Sequence, residues 1–297
     1  MNLRTLALAA CLLVCAALPA RAQWITQTFT LNSGWNAIYL HVDASYATFD
    51  QLFGPAAPVV LPIDEVWRWN PATPDSQAVS SPQNPADSTS QWASWKASAS
   101  STSDLNRFNA NAAYLVHCTA TTTLSVQGRP VMPSYKWSTS GLNFFGFPTV
   151  TTSPPSFDTF FNPVPAIQQG EIYRYPGGPL DAGNPLRVFA LRTTPVTRGE
   201  AYWIRAGEVY NRYYGPFEVA SAGAGAAYGT SLSSLSFRVR NLTASSLTVT
   251  LTLRTSEAPP TGQPAIVDLP PLMVRGTLNP STLTYPYTRL LVNTPKT

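Results

Sequence analysis

Charge is scarce in this chain. Only 11% of its 297 residues are Asp, Glu, Lys or Arg. The formal net charge is +4, and two of the arginines, Arg4 and Arg21, belong to the N-terminal leader, which leaves +2 on the rest. The basic residues form no run, so the electrostatic footprint of nucleic-acid binding is missing. There are two histidines, His41 and His117, and no Gly-x-Ser-x-Gly elbow, so a nucleophile with its base and orienting group has little to be built from. The 15 acidic residues are spread out, with Asp64-Glu65 the one adjacent pair, which is unlike a metal-binding cluster. Gly177-Gly178-Pro179 and Gly223-Ala224-Gly225 read as turn and linker glycines and not as a phosphate-cradling loop. No catalytic set, metal site or cofactor is expected.

Cysteine is nearly absent as well. Of Cys11, Cys15 and Cys118, the first two fall in the leader, so Cys118 is alone in the mature chain and no intramolecular disulfide can form. The leader consists of basic Asn2-Leu3-Arg4, an apolar run from Leu6 to Leu18, and Ala20-Arg21-Ala22 as a small-x-small cleavage pattern. Residues 1–22 are therefore expected to be a signal peptide, with Gln23 the mature start and a secreted or bacterial cell-surface destination. No second long apolar run follows, and no transmembrane segment is expected in the mature chain.

What is abundant is strand-like sequence, and much of it occurs twice. Gly34-Trp35-Asn36-Ala37-Ile38-Tyr39-Leu40 returns as Gly141-Leu142-Asn143-Phe144-Phe145-Gly146-Phe147. Phe49-Asp50-Gln51-Leu52-Phe53 returns as Phe157-Asp158-Thr159-Phe160-Phe161. Glu65-Val66-Trp67-Arg68-Trp69 returns as Glu171-Ile172-Tyr173-Arg174-Tyr175, and Ala113-Tyr114-Leu115-Val116 as Ala201-Tyr202-Trp203-Ile204. The blocks keep their order, which indicates an internal duplication. Short alternating runs between turn residues, and 28 prolines that exclude long helices, predict an all-β protein of small barrel or sandwich modules. One short helix per copy is expected after Thr48 and Ser156, whose side chains suit the N-cap, with Asp50 and Asp158 in the first turn.

The expected organisation is a β-module over residues 23–133, with a polar insert at 70–90, and its second copy over 134–219. A Gly/Ala linker over 220–228 leads to a β-sandwich-like domain over 229–297. In that last part, Leu235 to Val239 and Leu247 to Leu253 flank a turn at 241–246 and are expected to pair as a hairpin. The chain stops soon after a strand-like segment, so this domain is expected either to pair with the second copy or to be incomplete, the sequence then being part of a longer protein.

The repeated unit resembles a module of large secreted bacterial surface proteins of the adhesin type. There a Gly-Trp-Asn-Leu-Ile-Gly-x-Pro strand opens the unit and a Gly-x-Gly-Tyr/Phe-Trp-Val strand closes it. Gly34-Trp35-Asn36-Ala37-Ile38 and Gly141 to Pro148 match the opening, and Arg198-Gly199-Glu200-Ala201-Tyr202-Trp203-Ile204 matches the closing strand. Asn109 to Val116 is its diverged counterpart, with Asn111 in the place of Gly199. The resemblance covers residues 24–219 and implies an accessory, non-catalytic role in adhesin-like or cell-wall-associated proteins.

The residues that invite a binding function are aromatic. Period-2 geometry sends Trp67 and Trp69 to one face of their strand and Val66 and Arg68 to the other, with Tyr173 and Tyr175 repeating the pattern. Trp92 and Trp95 flank the polar insert. Trp67, Trp69, Trp92, Trp95, Tyr173 and Tyr175 are thus the candidate ligand or interface residues, either filling a core, meeting a protein or module surface, or stacking on sugar rings. The expected function is structural or adhesive, with surface proteins or polysaccharide as partners, and a carbohydrate-binding module pair is the alternative. Glu65 and Glu171 are the repeated carboxylates that a glycosidase would need as a pair.

Overall fold

The computed structural model describes residues 23–69, 92–135, 137, 142–162, 171–180, 184–205, 217–221, 237–241, 247–251, 255–265 and 290–294. The leader, the polar insert and most of the linker stretch lie outside them. The chain is all-β and sandwich-like, with no sheet closed into a barrel among the described residues.

The first module contributes β1 (Ile25–Leu31), β2 (Gly34–Leu40), β3 (Val42–Asp43), the short helix α1 (Phe49–Leu52), β4 (Ile63–Trp69), β5 (Trp92–Lys96), β6 (Ala112–Cys118) and β7 (Thr122–Pro130). The second contributes β8 (Leu142–Phe145), α2 (Phe157–Phe161), β9 (Ile172–Arg174), β10 (Leu186–Arg187) and β11 (Tyr202–Arg205). The two four-stranded sheets run β2-β6-β4-β5 and β10-β9-β11-β8, all antiparallel. Matched strand by strand these are the same order: opening strand, closing strand, aromatic strand, edge strand.

Local chemistry explains the recurring residues. Thr48 and Gln51 form a capping box on α1, and Ser156 accepts the Thr159 N–H on α2. Asn36 closes the turn before β2, its Oδ1 accepting from Asn32 N at 2.9 Å and its Nδ2 donating to the carbonyls of Asn32 and Gly34. Asn143 instead donates to the Ile204 carbonyl at 3.1 Å in a fully buried position. Asn111 and Gly199 both have positive φ, 54° and 90°. Asparagine is among the few side chains that tolerate the left-handed region, so the exchange between copies keeps the backbone.

A third sheet, β1-β7-β3, covers the first module. The sheet β2-β6-β4-β5 is therefore a middle layer. One face packs Ile38, Val66, Tyr114 and Val116 against Phe29, Leu31, Leu124 and Val126 of β1 and β7 and against Phe49 and Phe53. The other face packs Ala37, Tyr39, Ala113 and Leu115 into one core with Phe144, Trp203 and Tyr175 of the second module. The backbones join as well: Tyr39 N–H donates to the Gly199 carbonyl at 2.7 Å, Ala201 N–H to Ala37 at 3.1 Å, and Trp35 N–H to Gly178 at 2.8 Å. Gly34, at φ 88°, lies so close to Gly178 that a Cβ would sit 2.3 Å from its carbonyl oxygen. The opening glycine is therefore required by the junction between modules as well as by its own turn.

The C-terminal region departs from expectation. Among the described residues the strands predicted to form a hairpin do not pair with each other. β13 (Phe237–Asn241) pairs with β12 (Phe217–Ser221), and β14 (Leu247–Leu251) with β15 (Leu290–Thr294), all antiparallel. Alternation defines a strand but carries no information on its partner. β12 also enters the start of the stretch expected to be linker, since Ala220 and Ser221 pair with Arg238 and Phe237.

Residues 255–265 return to the first module. Glu257 N–H donates to the Trp24 carbonyl, Thr26 bonds the Glu257 carboxylate through both its N–H and its hydroxyl, and Gln127 donates to the Ala258 carbonyl. Trp24 is 1% exposed, donates from Nε1 to the Pro264 carbonyl at 3.0 Å, and packs between Tyr46 and the Arg129 guanidinium. Trp24→Ala is expected to cost about 3–4 kcal/mol in denaturant unfolding, a typical value for a buried tryptophan. It should also make the 255–265 segment the first point of proteolytic cleavage. A variant with wild-type midpoint and digestion pattern would show that this return contact contributes nothing.

Candidate functional site

The β4 pleat separates its residues as the sequence predicts. Val66 is fully buried in the core beneath β1 and β7, while Trp67 and Trp69 pack on the core shared with the second module. Trp69 lies opposite Trp92 in the β4–β5 register, and their rings meet edge to face at 5.0 Å. Both approach Trp203 of β11, at 5.9 and 6.1 Å, again edge to face. Trp203 has no exposed surface, stacks on Phe144 at 4.4 Å, and donates from Nε1 to the Tyr175 hydroxyl at 2.8 Å. The small Ala37 and Ala113 on the facing sheet border this same core. Trp67, Trp69, Trp92 and Tyr175 thus belong to the inter-sheet core or pack against it.

Tyr173 also packs on that core and is half-buried. Trp95 lies on the opposite face of its sheet, 1% exposed, against Phe49 and Phe53, with Nε1 donating to Asp50 at 3.2 Å. Trp95 and Tyr175 are closed to any external ligand, and the sequence signal that placed Trp95 beside the polar insert says nothing about which face it points to. Burial raises the Tyr175 hydroxyl pKa well above its ordinary value, which keeps it a neutral hydrogen-bond partner.

The repeated carboxylates have a different task from the one a glycosidase would give them. Glu65 accepts from Trp67 Nε1 at 2.8 Å and pairs with Lys96 at 3.7 Å. Glu171 accepts from the Tyr173 hydroxyl and from Arg205 Nε. The Tyr173 hydrogen bond, with Arg205 adding to it, lowers the Glu171 pKa. In each copy the Glu lies two residues before the ring it holds, on the same side of the strand. Lys96 also sits 5.2 Å over the Trp67 ring, covering one of its faces.

The remaining reactive groups are separated. His117 Nδ1 lies 2.6 Å from Asp64 and its ring abuts Trp35. Cys118 is buried, and desolvation, with Asp64 contributing, pushes its thiol up to about 12, so it is inert as a nucleophile. His41 is 4% exposed against Tyr39, just past the end of β2 away from Trp35, and neither ring nitrogen has a hydrogen-bond partner among the described residues. Among the described residues no group of three or more His, Cys, Asp or Glu side chains could hold a metal ion, and no helix is long and apolar enough to cross a membrane. Compared with protein-family models, with curated proteins and with solved structures, the chain has no significant match.

Proposed function

We propose that this chain is a non-catalytic structural or adhesive component of a secreted or cell-surface protein, exported by residues 1–22 and built to hold two β-modules in one fixed relation. The observation that supports this reading best is the use of the repeated side chains. The aromatic strand residues and the glutamates that clamp them are taken up in joining the sheets, which leaves display, spacing and contact as the roles of the surface. Phe189, 79% exposed beside the edge strand β10 with the Arg187 guanidinium over its ring, is an apolar contact point on that surface.

A carbohydrate-binding pair using the strand aromatics is the less favoured reading. Its platform would have to come from the half-buried Trp67, Trp69, Trp92 and Tyr173, because Trp95 and Tyr175 are enclosed; Lys96 already occupies one face of Trp67, and Trp69 and Trp92 meet each other and Trp203.

The test is expression of the full chain in a bacterial host, followed by fractionation, intact mass and a glycan-array screen. The expected result is an exported protein beginning at Gln23 whose array signal, where present, is unchanged in a Trp67→Ala, Trp69→Ala variant that still folds. Retention in the cytoplasm with residues 1–22 attached would overturn the export reading. Glycan binding lost in the folded double variant would overturn the structural reading of the aromatics.

A further inference from the structure

The duplicated sheet offers an internal comparison that exposes one difference in charge. Arg174 in the second copy and Arg68 in the first occupy the same position on the aromatic strand, and Glu200 and Ala112 the same position two residues before the tyrosine of the closing segment. In the second copy Arg174 Nη2 donates to Glu200 Oε1 at 3.0 Å, and the Tyr202 hydroxyl donates to Glu200 Oε2 at 2.9 Å. The tyrosine corner itself is the same in both copies: Tyr202 accepts the N–H of Thr197 at 2.9 Å and Tyr114 that of Asn109 at 2.8 Å. In the first copy, however, the acid is replaced by Ala112. The Tyr114 hydroxyl then has only a long 3.4 Å contact to the Asn109 carbonyl as a donor, and among the described residues no acidic side chain pairs with Arg68.

Arg68 instead lines a cleft of about 290 Å³, together with Asp104, Asn106, Arg107 and Asn109. Asp104 Oδ1 is held by the Ser94 N–H at 2.6 Å, and an Arg107 Nη by the Ser45 carbonyl. Two arginines and one aspartate line the cleft, and the next acid, Asp43, is held by Ser45, so Arg68 has no carboxylate of its own among the described residues. A guanidinium is matched best by a planar carboxylate, which it can bind through two parallel hydrogen bonds. The volume is just under the usual range for small-molecule sites, which suits a ligand no larger than one sugar ring, and asparagine amides supply both donors and acceptors, as ring hydroxyls require.

We infer that this cleft binds a small carboxylate of monosaccharide size, the hexuronate class, whose carboxylate takes the place beside Arg68 that Glu200 takes beside Arg174. The site lies on the face of the middle sheet away from the aromatic core, so it does not depend on the structural reading of those aromatics.

Isothermal titration of the chain beginning at Gln23 with glucuronate, glucose, acetate and inorganic phosphate tests it. Glucuronate is expected to bind at least about tenfold tighter than glucose or acetate, as a charge-assisted contact added to hydroxyl contacts predicts. Ala112→Glu supplies the missing acid from within and should weaken glucuronate binding at least about tenfold, although it removes no group from the cleft. Arg68→Gln should do the same, and serves alone if melting shows that Ala112→Glu does not fold. No glucuronate binding, equal binding of glucose, or undiminished binding by folded Arg68→Gln would each overturn the inference. So would phosphate binding as tight as that of glucuronate.

Discussion

Trp203→Ala is expected to lower the unfolding free energy by about 4 kcal/mol, near the top of the range for truncating a buried aromatic. The ring is wholly buried, stacked on Phe144 and met edge-on by Trp69 and Trp92. Removing it opens a cavity where the cores of two modules meet, and neither sheet can close it alone because their backbones are tied at Ala37, Tyr39 and Trp35. Trp203→Phe should retain most of the stacking and lose the 2.8 Å bond to Tyr175, at a cost of about 1–2 kcal/mol. The Trp69→Ala, Trp203→Ala pair should couple by about 0.5–1.5 kcal/mol in a double-mutant cycle. Urea unfolding measures all four. A Trp203→Ala midpoint close to wild type would mean that the sheets do not stabilise one another and that the modules are independent.

The parts of this architecture that were legible in the sequence are the local ones. The side-chain pleat of β4 correctly parted Val66 from Trp67 and Trp69, because it depends only on a period of two. The helix caps at Thr48 and Ser156 were legible for the same reason. Long-range partnership was not. Nothing in the composition of β13 says that it pairs with β12, and nothing in the proline-rich stretch 255–265 says that it runs along β1. Read copy by copy, the sequence also suggests a separate core for each module. The aromatic face of β4 in fact looks across to β11 of the other copy, a relation that appears only when the two sheets are stacked. The Glu-x-aromatic clamp lies between these cases. Its i, i+2 spacing was visible, but its meaning depended on which face was half-buried.

Between pH 7 and pH 4.5 the protein is expected to lose about 2.5 kcal/mol of stability through one residue, His41, by the linkage between proton binding and folding. Its imidazole is held neutral. Burial is the larger cause and the nearby Arg198 the smaller, and together they lower its pKa from 6.5 to about 3. The Phe147 backbone approaches the ring and offsets part of that shift without reaching hydrogen-bond geometry. A depressed pKa means that the unfolded chain takes up the proton first. Stability is therefore complete above the unfolded value of 6.5 and falls as the pH drops from there towards 3. Glu171 and Glu257, whose pKa values are lowered by their hydrogen-bond donors, contribute in the same direction. They do so only as the pH falls through and below the ordinary carboxylate range, so the upper part of the window isolates histidine. Replacing His41 with leucine, of comparable bulk and uncharged, should flatten the pH dependence of the urea midpoint between 7 and 4.5. An equal slope in the variant would show that the ring is hydrated in solution. The position of His41 gives the effect its reach. It follows β2 and lies beside Tyr39, whose N–H bonds the Gly199 carbonyl. A proton forced onto this ring is thus expected to loosen the junction between modules before either sheet unfolds.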